Sequence, residues 1–165
     1  ETATRRGETD WLGEAQAQLG SGWRTRLGLQ WDETRDDWER SVAQLDYRGS
    51  QQRLLHIAYR QQRDTPEQTD LGASWPLRPN LSAVGRWNYS LDDRRTLEAL
   101  GGLEYRSCCW RFRTLARHYV TDSNASDLSL LFQFELLGLG QLGDDIDNVL
   151  ERSIPGYRIN DYELP

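Results

Sequence analysis

The chain has 165 residues, a net charge of −6 and a sequence pI near 5.0, and all 20 of its basic residues are arginine. This balance excludes a non-specific nucleic-acid binder, which needs a basic surface; no apolar run approaches the roughly 18 residues of a membrane-spanning helix. The hydrophobic share is 37%, yet seven Trp and seven Tyr are present, so a very polar chain has to place many large aromatics.

The start carries neither Met nor a signal peptide, which points to a processed product or a fragment. The opening stretch ETATRRGETD (1–10) reads as the second half of a loop. Period-two alternation then sets in, the pattern of strands with one apolar and one polar face. In 10–19 one face is Trp11, Gly13, Ala15, Ala17 and Leu19; in 22–31 it is Trp23, Thr25, Leu27, Leu29 and Trp31, against Arg24, Arg26, Gly28 and Gln30. The run 38–48 is the weakest, because Trp38 is out of register with Ala43, Leu45 and Tyr47, which predicts a bulge or an aromatic at the strand end. Further runs follow at 51–61 (Leu55, Ile57 and Tyr59 against His56 and Arg60), 67–75, 80–90 and 95–106. The last two are 109–120 (Trp110, Phe112, Thr114, Ala116 against Arg111, Arg113, Leu115, Arg117) and 127–138 (Leu128, Leu130, Phe132, Phe134, Leu136 against Ser129, Leu131, Gln133, Glu135). Residues 139–165 lose the alternation and are expected to be a non-strand tail.

The connections alternate. GSG (20–22), RGS (48–50), PLRPN (76–80) and SC (107–108) are short; DETRDD (32–37), QQRDTPEQ (61–68), LDDRR (91–95) and TDSNASD (121–127) are longer and polar. Runs of about ten residues suit a tilted membrane crossing, whereas soluble sandwiches use about five or six. Aromatics near the run ends suit interfacial girdles. The expected fold is therefore all-β, an antiparallel transmembrane barrel meander. Its nine strands are odd in number, whereas bacterial single-chain barrels have even counts, so residues 1–138 are expected to be the C-terminal part of a larger barrel. The long polar loops should face the exterior and the short turns the periplasm.

Few motifs suggest chemistry. GLGQLG (138–143) fits the dinucleotide fingerprint by letter but lacks the strand–helix–strand context. His56 is on the polar face and His118 on the apolar face; Ser82 could approach His56, but nothing in the spacing supports a catalytic pair. NAS (124–126) matches a glycosylation acceptor. The charges on the polar face suit a water-filled lumen paired across strands, and the arginines would also suit an anionic amphiphile. The only two cysteines, Cys108 and Cys109, are adjacent. Neighbouring Cα atoms lie about 3.8 Å apart, closer than the roughly 4.4–6.8 Å of ordinary disulfides, so either both thiols are free or each bonds something outside the chain.

ASWPL (73–77), GLEYRSCCW (102–110), FQFELLGLGQLG (132–143) and LERSIPGY (150–157) together resemble the C-terminal part of the LPS-assembly protein LptD family. The resemblance covers residues 70–157. It implies a barrel of roughly two dozen strands in a Gram-negative outer membrane, a preceding periplasmic jellyroll that meets the periplasmic Lpt bridge, and a lumen plugged by the lipoprotein LptE. Lipopolysaccharide would leave between the first and last strands, without cofactor or covalent catalysis. Cys108 and Cys109 would each bond a separate upstream cysteine from a periplasmic turn. The run 127–138, with Leu128, Leu130, Phe132, Phe134 and Leu136, would be one side of that lateral gate, its opening eased by Gly138 and Gly140. A porin or receptor barrel is the competing class.

Overall fold

A computed structural model describes residues 10–33, 35–50, 53–120 and 126–157. Ten strands are present: β1 (Asp10–Leu19), β2 (Trp23–Asp32), β3 (Asp37–Arg48), β4 (Leu54–Gln62), β5 (Thr65–Arg78), β6 (Leu81–Ser90), β7 (Arg95–Arg106), β8 (Trp110–Val120), β9 (Ser126–Leu136) and β10 (Gly140–Gly143). Helix α1 (Ile146–Ser153) follows. The strands form one sheet in chain order, each antiparallel to the next. Among the described residues no strand closes β1 onto β10.

The long strands appear where the alternation predicts them. β1–β9 run from 9 to 14 residues, or about 30–45 Å at roughly 3.3 Å per residue, enough to cross a bilayer when tilted. The irregularity at Trp38 is a bulge: the register shifts after Gln30, so Trp31 faces Trp38 and their rings meet edge to face, centroids 5.0 Å apart. The extra residue returns Trp38 to the apolar face.

Three expectations need correction. The strands number ten, not nine, and β9 is not the last. Residues 139–165 are not devoid of strand, because β10 folds back on β9 and α1 follows. The turn between β9 and β10 takes positive φ at Gly138, and Gly140 and Gly143 take it at the two ends of β10; at Gly143 a Cβ would collide with the Phe132 carbonyl oxygen. Lastly, QQRDTPEQ is not a long loop. β4 runs to Gln62 and β5 starts at Thr65, leaving a two-residue turn in which Asp64 takes φ 58°. Asp is among the residues that tolerate this region best. The contrast in loop length between the two ends therefore fades. TDSNASD falls mostly, and Asn124 and Ala125 wholly, outside the described residues.

The buried apolar core lies on the polar face of the sheet. Leu54, Leu100 and Leu115 from the wall enclose Ile146, Leu150 and Ile154 from the tail, with Val84, Leu131, Val149 and Tyr157 packed around them. The apolar side chains sprinkled along the otherwise charged face are thus the seat of the tail.

Candidate functional site

Two surfaces and one edge carry the features that function can use. The uncovered face exposes Leu27, Leu29, Ile57, Leu103, Leu128, Leu130, Phe132 and Phe134, with Leu128 65% and Phe132 51% accessible. So much exposed apolar surface is untenable against water in a monomer. It is bordered by aromatics at both strand ends. At the end holding Cys108, Trp23 packs on Tyr47, Tyr47 approaches Trp75, and Tyr105, Trp110 and Phe134 form a second row. At the other end stand Trp31 with Trp38 and Trp87 with Tyr89. Trp23 and Trp31 are eight residues apart on β2, about 26 Å along the strand and about 20 Å across the bilayer at a tilt of about 40°, close to the apolar band of about 25 Å that aromatic girdles flank.

The opposite face is laced by ion pairs. Asp70 on β5 accepts from Arg86 on β6 at 2.6 Å; Arg86 also reaches Glu98 on β7 at 2.7 Å, and Glu98 accepts from Arg117 on β8 at 2.7 Å. Arg111 pairs with Glu135 at 3.2 Å. His56, 4% exposed, lies 2.6 Å from Asp46; its partner is a carboxylate and not Ser82, while His118 is on the other face, opposite Leu128. These pairs join neighbouring strands on one side of the sheet, so charges of both signs are neutralised across the strands.

Arg113 links the wall to the tail. Only 3% exposed, it donates to Glu104 on β7 at 2.6 Å, to Gln133 on β9 at 3.4 Å, and to Asp147 on α1. Gln133 in turn donates to Asp147 at 3.1 Å. Below this cluster Arg48 donates to the Gly156 carbonyl at 3.1 Å. Burial pushes the Tyr157 phenol above its ordinary value, with Arg113 opposing the rise. Sequence reasoning missed α1, although its signals are present: Asp145 as the N-cap accepting from the Asn148 amide at 3.2 Å, apolar residues at 146, 150 and 154, and Pro155 as a stop. A helix does follow GLGQLG, but β10 is antiparallel to β9, so the glycines shape a hairpin and no nucleotide cradle forms.

Cys108 and Cys109 occupy the turn between β7 and β8, and their sulfurs are paired with each other, the Cα atoms 3.8 Å apart. The expected partners upstream are not in this chain, which has two cysteines. Leu128, Leu130, Phe132, Phe134 and Leu136 all project from one face of β9, each opposite a residue of the apolar face of β8. The other edge of β9 meets β10 over Gln133–Leu136 only.

Long antiparallel strands with an apolar band, two aromatic rows and a charge-paired inner face define a wall segment of a transmembrane β-barrel of the outer-membrane type. A family model for LptD, the LPS transport system D, matches residues 1–90. The chain belongs to the LptD family. The LPS-assembly protein LptD of Nitrosococcus oceani is 42% identical over 147 residues, 88% of this chain and 20% of the relative. Those of Alkalilimnicola ehrlichii and Thiobacillus denitrificans are 37% and 36% identical over 94% and 95% of the chain. The chain spans about a fifth of the length of these relatives.

Proposed function

We propose that this chain forms the C-terminal wall of an outer-membrane β-barrel that delivers lipopolysaccharide to the outer leaflet. The observation that carries the reading is the two-faced sheet: an apolar band with aromatic rows on one side, and on the other a polar face in which charges are neutralised by neighbours. The first suits lipid, the second a wet lumen. The protein works as a route and a gate and performs no covalent chemistry. Its substrate is an anionic amphiphile, and its partners are an LptE-like lipoprotein in the lumen and the periplasmic Lpt bridge reached through a preceding jellyroll.

The end bearing Cys108 and Cys109 faces the periplasm, an oxidising compartment. There the vicinal disulfide exchanges with a disulfide between two upstream cysteines: two S–S bonds break and two form, leaving one long-range bridge from each of Cys108 and Cys109 with no net oxidation. Each such bond would add roughly 3–5 kcal/mol in the chain-entropy account, because the loops closed are long. Non-reducing gels with peptide mapping of the whole mature protein test this: two long-range bridges are expected, and a vicinal bridge or two free thiols would sink it. A cysteine replacing Asp36 should label from outside intact cells; labelling only after permeabilisation would invert the orientation.

Depletion of the whole protein in its host tests the export reading. Surface lipopolysaccharide should fall while lipopolysaccharide accumulates behind the outer leaflet. Undiminished surface lipopolysaccharide after full depletion would overturn the reading.

A further inference from the structure

β9 has one edge fully paired, from Trp110 opposite Leu136 to Val120 opposite Ser126. Backbone groups alternate in direction along an antiparallel strand, so the other edge is served by every second residue: Ser126, Leu128, Leu130, Phe132, Phe134 and Leu136. The tail takes three of these six. Gly140 stands opposite Leu136 and Leu142 opposite Phe134. Phe132 is satisfied by Asp144, whose amide donates to the Phe132 carbonyl at 2.8 Å and whose carboxylate accepts from the Phe132 amide at 2.9 Å. Ser126, Leu128 and Leu130 face no strand among the described residues.

An unpaired edge is not tolerated in the hydrocarbon region. The remaining edge of β9 therefore has to be covered by a strand supplied by the rest of the protein. That strand can reach only the part that the tail leaves free. The tail cannot drift away easily, because α1 is held by Asp147 on Arg113 and Gln133 and by Ile146, Leu150 and Ile154 in the apolar seat.

We propose that the C-terminal tail is a strap that occupies half of the free edge of β9 and so shortens the seam through which the barrel opens. The proposal rests on the closed-barrel export reading given above. With the strap in place the seam has three edge residues of β9 to pair with; with the strap displaced it could take all six and close more firmly. The tail thus keeps the seam weak at the end that bears the cysteine turn.

The test uses the whole protein with its partner lipoprotein. Hydrogen exchange should show residues 140–143 protected in the native protein. Gly143→Val, whose side chain would collide with the Phe132 carbonyl, should speed their exchange about tenfold or more, while the Phe134 and Leu136 amides stay protected by the incoming seam strand. Surface lipopolysaccharide should then fall severalfold with the barrel still folded. Should this variant fail to fold, a second one remains decisive: Glu135→Cys with Gln141→Cys, which stand opposite each other outside the apolar gate face, cross-linked to fix the strap, should export as the native protein does. Fast exchange at 140–143 in the native protein, or export stopped by the fixed strap, would overturn the proposal. The exchange results stand whether or not the cargo is lipopolysaccharide, so a failure of the export reading is seen separately in the depletion experiment.

Discussion

Strand β8 and helix α1 join in one apolar cluster through Leu115 and Leu150, yet their sequences encode them in different ways. β8 alternates residue by residue, so each side chain states which face it belongs to. α1 is eight residues long, too short to be stable alone, and depends on a seat built from strands 30 to 100 residues away in the chain. The wall is specified locally and the tail by what it lands on. Changes that separate the two should therefore differ in kind from changes confined to either.

The largest effect is expected at the junction. Arg113→Ala empties a buried site and removes the shared partner of Glu104, Gln133 and Asp147, leaving the two half-buried carboxylates only their weaker contacts with Arg106 and Gln133, a loss of about 3–5 kcal/mol. Urea titration of the detergent-solubilised whole barrel would read it, and a loss below about 1 kcal/mol would mean the tail is not docked there. Confined to the wall, Phe132→Arg should cost about 2–4 kcal/mol if the position is near the bilayer midplane. The same titration after folding into bilayers measures this, and a neutral result would contradict a lipid-facing β9.

Confined to the tail, Asp145→Ala should remove the N-cap of α1 at about 0.5–2 kcal/mol, seen as faster amide exchange in 146–153 with the wall unchanged. The smallest effect concerns pH. The Tyr157 phenol is held above its ordinary value of 10.0, first by burial. Its neutral form is thus favoured in the docked state. The stability it contributes is complete below pH 10 and is lost as pH rises from there through the raised value. Alkaline titration should release the tail, and Tyr157→Phe should remove that dependence. Identical alkaline release in both proteins would exclude Tyr157 as its cause.

How much of this was legible follows from the same contrast. The alternation gave β1–β9 to within a few residues, and the misfit of Trp38 was enough to locate a bulge, because period two turns a single insertion into a visible error of phase. QQRDTPEQ misled because its polarity imitates a loop, although residues beyond the apolar band of a membrane strand have no need to be apolar. The charge pairs of the inner face were foreseen as a class, but Arg113 as their link to the tail was not, since Asp147 is 34 residues away on an element read as coil. Leu115 was visible as an apolar residue among the arginines of a polar face; without α1 it had no reason to be there.

The central claim is that the two faces of this one sheet meet different solvents. Spin labels placed singly at positions 128 to 133 of the whole protein in bilayers test it most directly. Labels at 128, 130 and 132 should be accessible to oxygen dissolved in lipid and shielded from a water-soluble relaxation agent, and labels at 129, 131 and 133 should show the reverse or be shielded from both by the tail. Uniform accessibility along the strand, or alternation of the opposite phase, would contradict the account.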